Sequence, residues 1–356
     1  MIRTLTFLFL LWQTLSPEAL QHMQAGGEAE KTGQFRTAIA EFQKVPEIEP
    51  TVATGFVRLG QAYLENHDFG GAVSPLRQAL KLDPDLAAAH QLLGYALLAQ
   101  GYAAQAIPHL EKSDDTAALG IAQLEAGQLT DAVVHLQSAL AKRPNDPDLL
   151  YYFGRANGLL SKQSIDTLIA TYPDSARSHQ AMAENYYVLR QMPQAEKEFQ
   201  DAIRLRPDIP KIHLELGLVY VSTSQWSKAE EAFRAETKLQ PGNAEAAYRL
   251  GNALLQQGKV PEALVELRRS DTLLPEMPET LYALGKAAAL QGDATSAEKA
   301  WRKVIELEKE SSLSAQAHFA LSGLYRKQGK STEAEREMEE FKKLQTTATS
   351  PEGPQP

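Results

Sequence analysis

A spacing of 34 residues runs through this chain and limits what it can fold into. Gly26, Gly60 and Gly94 stand 34 apart, and so do Gly217, Gly251 and Gly285. Twelve residues after Gly60, Gly94, Gly120, Gly217, Gly251 and Gly285 comes an alanine: Ala72, Ala106, Ala132, Ala229, Ala263 and Ala297. Four residues beyond the alanine row stands a large apolar residue, as in Phe42, Leu76, Phe199, Phe233, Leu267 and Trp301. A second small residue often follows the alanine by seven (Ala79, Ala139, Ala202), and proline follows it by twelve (Pro50, Pro84, Pro144, Pro207, Pro241, Pro275). A period of this length marks stacked supersecondary units that cannot bury their apolar faces alone.

The spacing resembles the tetratricopeptide repeat (TPR), with Leu-Gly, Tyr, Ala, Phe, Ala and Pro at set offsets. The window Pro210–Asn243 has nearly the whole set: Leu216, Gly217, Tyr220, Ala229, Phe233 and Pro241. The resemblance implies an all-α, right-handed superhelical solenoid of about ten helix-turn-helix repeats, each with a helix A and a helix B. It covers residues 19–348, with units starting near 19, 53, 87, 113, 147, 176, 210, 244, 278 and 315. Gly at position 8 and Ala at position 20 are expected to face each other where A and B come closest. Gly33, Gly101, Gly127, Gly258 and Gly292 are expected to end helix A, and the prolines to stop helix B.

The register breaks in three units. Gly94 and Gly120 are only 26 apart, so the third unit lacks the end of its helix B, and Ser113-Asp114-Asp115-Thr116 supplies a cap for the next helix. The fifth unit is short and has Asp166 in place of the expected alanine. Residues 103–116 and 158–175 are therefore expected to kink or reset the array. The ninth unit gains three residues around Glu310-Ser311-Ser312. In the last unit Ala334, Met338, Phe341 and Leu344 form an apolar stripe, and the surrounding charges, Glu337 among them, read as the polar face of a cap.

The ends differ from the array. Arg3 precedes the apolar run Leu5–Trp12, which matches a secretory signal peptide over residues 1–18 and is too short to span a bilayer well. This points to the periplasm or the cell exterior, with a cytoplasmic chain as the alternative. The absence of cysteine excludes disulfides, thiolate chemistry and a lipoprotein anchor. No later segment is apolar for long enough to be an integral membrane span. Residues 349–356 read as a disordered tail. The net charge of -9 argues against nucleic acid as a partner.

No catalytic motif is visible: no phosphate-cradling loop, dinucleotide fingerprint, nucleophile elbow or zinc-protease helix. His22, His90, His179, His213 and His318 all fall at position 4 of their units. In separate layers they read as packing residues, so no metal and no cofactor is expected, and the chain reads as a non-enzyme.

In the family, positions 2, 5, 6, 9, 12 and 13 of helix A line a concave wall. Carried onto this chain, they give two clusters. One is Tyr151, Tyr152, Arg155, Arg177, Glu184 and Tyr187; the other is Tyr248, Arg249, Asn252, Tyr282, Lys286, Phe319, Arg326 and Lys327. Tyr and Arg dominate binding hot spots, and Arg grips carboxylates. The partner expected is a protein or peptide with acidic residues or a free C-terminus; oligomeric state is open. The chaperone-binding carboxylate clamp is missing, since Leu214, Leu218, Arg249, Glu279 and Ala283 occupy its positions. The asparagine ladder of glycosyltransferase repeats is missing as well, with Arg58, Leu92, Ala118, Glu215, Arg249 and Ala283 at position 6. The resemblance thus implies a bacterial-style scaffold that helps an envelope complex assemble. A regulatory or substrate-recruiting subunit of a separately encoded enzyme, such as a glycosyltransferase, and a cytoplasmic co-chaperone are the alternatives.

Overall fold

The computed structural model describes residues 15–349, all of whose regular elements are helices. In order they are α1 (Pro17–Lys31), α2 (Phe35–Ile48), α3 (Ala53–Glu65), α4 (Phe69–Leu82), α5 (Ala87–Ala99), α6 (Ala103–Leu110), α7 (Thr116–Glu125), α8 (Leu129–Lys142) and α9 (Pro147–Thr171). Then follow α10 (Ala176–Val188), α11 (Met192–Leu205), α12 (Ile212–Ser222), α13 (Trp226–Leu239), α14 (Ala244–Gln256), α15 (Val260–Leu273), α16 (Pro278–Leu290), α17 (Ala294–Leu307), α18 (Ser312–Lys327) and α19 (Ser331–Thr349). None of the described helices is long and apolar enough to cross a membrane. The chain divides into two compact parts, Met1–Ser164 and Ile165–Pro356, with the division inside α9. The first holds the hairpins α1–α2 to α7–α8; the second holds α10–α11 to α18–α19. From α1 to α8 and from α10 to α19 consecutive helices touch, and several A helices also touch the next A helix, as α3 does α5 and α14 does α16.

Each hairpin turns at the same place. Position 15 takes a left-handed conformation in Gly33, Gly101, Gly127, Gly258, Gly292 and Gly329, and also in His67, Arg190 and Ser224. The hydrogen bonds are those of a Schellman motif: Gln34 N–H reaches Ala29 O at 2.8 Å and Gly33 N–H reaches Glu30 O at 2.9 Å. Helix B then stops two residues before each of Pro50, Pro84, Pro144, Pro207, Pro241 and Pro275, because proline offers no N–H to continue it.

The hairpins close on a second contact beside the expected one. A Cβ on the position-8 glycine would first strike the bulky residue sixteen further on, while the alanine twelve further on is also near: Ala263 O lies 3.2 Å from such a Cβ on Gly251, and Ala334 O accepts from Ser322, the position-8 residue of α18, at 2.8 Å. Gly26 lies against Phe42, Gly60 against Leu76, Gly251 against Leu267 and Gly285 against Trp301, at 2.4–2.6 Å. The alanines, fully buried at Ala38, Ala72, Ala195 and Ala229, fill the core beside that contact. Buried Phe42, Phe199 and Phe233 each contribute about 1.5–3 kcal/mol by leaving water.

The breaks in register have distinct outcomes. In the third unit α6 is cut to 8 residues, and Asp115 caps α7 by accepting from Ala117 and Ala118 N–H, as expected. The missing turns leave a cleft of about 380 Å³ bordered by Gln91, Asp114, Asp115, Lys142 and Arg143. The fifth unit is not a short hairpin: α9 runs unbroken for 25 residues, through the expected kink at 158–171. Ser161, at the turn position, stays helical. The physical reason is a missing clasp. Asp166 and Ala170 stand where alanine and a bulky residue close the other hairpins, and nothing lies within 4 Å of a Cβ on Gly154.

At the N-terminus the fold starts before residue 19. Ser16 caps α1, its backbone N–H donates to Glu49 Oε1 at 3.1 Å, and Leu15 packs on the first core. Residues 1–14 of the signal segment lie outside the described residues, as do residues 350–356 of the tail. In α19 Glu337 departs from the expected solvent face. It is buried, with Oε2 2.7 Å from His318 Nδ1 and Oε1 3.2 Å from Arg336 Nη2.

Candidate peptide-binding wall

The second cluster lies wholly within the second compact part, on the A helices α14, α16 and α18, of which α14 touches α16 and α16 touches α18. Tyr248 is half-buried, and the Arg249 guanidinium sits 5.3 Å from its ring centre. Burial pushes the Tyr248 phenol up from its ordinary pKa. Arg249 is already engaged: Nη2 donates to Glu245 Oε1 at 3.2 Å, while Nε is buried without a partner. Asn252 follows one turn on. Tyr282 of α16 is half-buried with its ring 6.5 Å from Trp301, and its phenol is likewise pushed up by burial. Lys286 lies one turn beyond it. On α18, Phe319 is 55% exposed and rests against Phe341 of α19, 5.2 Å between centres. Arg326 and Lys327 are exposed in the last turn of α18. Among the described residues, Lys286, Arg326 and Lys327 make no ion pair.

The first cluster is divided between the two compact parts. Tyr151, Tyr152 and Arg155 fall in the first compact part, and Arg177, Glu184 and Tyr187 in the second. Counting wall positions through the fifth unit assumed a hairpin that α9 does not make. Tyr151 is 63% exposed, edge-on to Tyr152 at 5.3 Å. Arg155 donates to Glu125 at 2.7 Å, and Tyr152 borders a cleft of about 550 Å³ with Tyr95, Ile121 and Glu125. In the second part Arg177 donates to Gln180 at 2.6 Å, and Tyr187 OH accepts from Ser222 at 3.4 Å.

Each compact part also holds an acidic residue tied to position 6 of a unit. Gln180 Nε2 donates to Glu215 Oε2 at 3.2 Å. Burial, reinforced by the charges of Glu184 and Glu236, raises the Glu215 carboxyl to about 7. In the first part Arg58 pairs with Glu30 and donates to Gln61 at 3.1 Å. Burial outweighs the Arg58 charge and lifts Glu30 to about 7. The signal for both was positional, since Arg58 and Glu215 occupy position 6 of their units.

The histidines do more than pack. His22, His179 and His318 each place Nδ1 2.6–2.7 Å from a glutamate nineteen residues on, Glu41, Glu198 and Glu337. The hydrogen bond holds the Glu41 and Glu337 carboxyls below the usual range. His90 meets His109 instead, at 2.9 Å, and His213 bonds the Pro207 carbonyl at 3.1 Å.

No curated protein matches the sequence. In fold, the chain is similar to residues 41 to the end of MamA from Desulfovibrio magneticus RS-1, at 19% identity and a TM-score of 0.47 over 50% of this chain and 98% of that one. It is also similar to YrrB, a TPR protein with an unusual peptide-binding site (19% identity, TM-score 0.45, 51% and 92% covered). Yeast Tom70 is a third (14% identity, TM-score 0.41, 92% of each chain). The family pattern described as "Tetratricopeptide repeat" matches residues 57–117, 181–235, 214–278 and 282–347, more than half of the chain. Together with nine hairpins that turn at one position, seven of them closing on the same glycine contact, that match shows that the chain belongs to the tetratricopeptide repeat family.

Proposed function

We propose that the chain is a protein-interaction scaffold whose wall on α14, α16 and α18 takes up a segment of another protein. The observation that supports this is the set of cations without a protein partner, Lys286, Arg326 and Lys327, on the same helices as Tyr248, Tyr282 and exposed Phe319. A carboxylate there gains charge-assisted hydrogen bonds, and the aromatics contribute apolar area at low entropic cost. The segment bound carries acidic side chains or ends in a free carboxylate. Lys286→Glu with Arg326→Glu, compared with the parent in pull-downs from the native envelope fraction, tests the wall. An unchanged set of captured proteins rejects it.

The setting we favour is export, with the scaffold assisting assembly of an envelope complex. Support comes from Arg3 and the apolar run Leu5–Trp12 ahead of the first folded hairpin. Because Ser16 and Leu15 belong to that hairpin, cleavage is expected upstream of residue 15. N-terminal sequencing of the fractionated protein decides the matter: an intact Met1 in the cytoplasm rejects export.

A further inference from the structure

We propose that the hairpin α10–α11 carries a site for a divalent transition-metal ion of the zinc class, formed by His179, Glu198 and Asp201. The three side chains bring one ligand atom each to within 4.8 Å of one another. Two ligand atoms of a tetrahedral metal at about 2.1 Å stand about 3.4 Å apart, so the widest pair closes by up to about 1.4 Å and the His179–Glu198 pair opens by about 0.8 Å, movements that rotation of the carboxylate side chains supplies. Geometry supplies the approach. His179 lies on α10, while Glu198 and Asp201 lie one turn apart on α11 and share a face. His179 Nδ1 and Glu198 Oε2 already stand 2.6 Å apart.

One imidazole and two carboxylates neutralise a divalent ion and leave a coordination position for water, a donor set zinc accepts. On binding, Nδ1 presents its lone pair and the neutral ring keeps its proton on Nε2. The neighbouring cations leave acceptor capacity. Arg204 holds Asp201 through Oδ1 alone, at 2.8 Å, and Lys197 reaches only Glu198 Oε1, at 3.8 Å.

The other position-4 histidines act as internal controls. Three residues beyond Glu41 stands Lys44, which pairs with Glu41 at 3.4 Å. Three beyond Glu337 stands Glu340, which pairs with Lys343 at 2.7 Å, while Arg336 and Arg302 hold Glu337. His90 faces His109, with Lys112 three residues further. Among the described residues, only the α10–α11 hairpin brings three ligand atoms together.

The test is zinc titration of the full chain by calorimetry, with cobalt absorption as a second readout of the ligand set. One ion per chain is expected. His179→Asn and Asp201→Asn are each expected to weaken binding by at least about tenfold, since loss of a direct ligand costs more than loss of a supporting one. His22→Asn is expected to leave it unchanged. Asp201 is only half-buried, so Asp201→Asn stays informative even if His179→Asn disturbs the hairpin. No uptake of zinc, or uptake insensitive to Asp201→Asn, overturns the proposal.

Discussion

Phe233 lays its ring over Gly217 so closely that a Cβ on residue 217 would fall 2.3 Å from ring carbon Cε1. Gly217→Ala is therefore expected to lower stability by about 1–3 kcal/mol through overpacking. Gly154 holds the same repeat position with open space around it, so Gly154→Ala is expected to raise stability by about 0.5–1 kcal/mol. Urea unfolding gives the two signs. Because repeat arrays unfold in pieces, hydrogen exchange in α12 and in α9 reports each locally. A shared sign would show that the ring contact does not govern position 8.

Arg190 adopts φ 60° at a turn where six of the nine hairpins have glycine. A left-handed backbone costs a residue with a Cβ roughly 1–2 kcal/mol. Arg190 is exposed, so Arg190→Gly is expected to raise the melting point of the α10–α11 hairpin, and Gly258→Ala to lower that of α14–α15. Calorimetry of both variants checks the pair.

Glu215 titrates near 7 when folded, above its ordinary value of 4.5. The folded state thus binds the proton more tightly than the unfolded one. Stability from this group is full below about pH 4.5 and declines as pH rises through about 7. Solvent still reaches the carboxyl, so the loss is on the order of 1 kcal/mol. Glu215→Gln is expected to flatten that part of the pH profile, measured by denaturation between pH 5 and 8. A profile unaltered by the substitution would assign the pH dependence to other groups.

Asp115 joins the shortened third unit to the fourth. It caps α7 and accepts from Tyr95 OH and from Gln91 Nε2. Asp115→Ala is expected to cost about 2 kcal/mol, a lost cap with further unpaired donors beside it. Loss of amide protection confined to α7 and α8 checks it.

The hairpins, their glycine turns and the prolines behind helix B were legible in the sequence because each depends on one residue type at one spacing. Three turns were not, since His67, Arg190 and Ser224 give no sign of φ near 60°. The Gly217–Phe233 contact was hidden among three rows that recur together, and only geometry tells which pair is closest. The pairing of His179 with Glu198 crosses from helix A to helix B, a separation of nineteen that no single-helix periodicity displays. Glu337 read as polar surface because a helical wheel does not show that His318 draws the carboxylate inward. In α9 the fault lay in an absence: Asp166 and Ala170 remove the clasp, and wall positions counted through Tyr151 and Arg177 then fall into different compact parts.

The contact that closes a hairpin uses positions 8 and 24, whereas Tyr248, Arg249 and Lys286 occupy positions 5, 6 and 9. Folding and recognition are written in separate columns of the same repeat. A lineage can therefore exchange one partner for another by rewriting the outward columns, leaving the clasps untouched and never passing through an unfolded intermediate form.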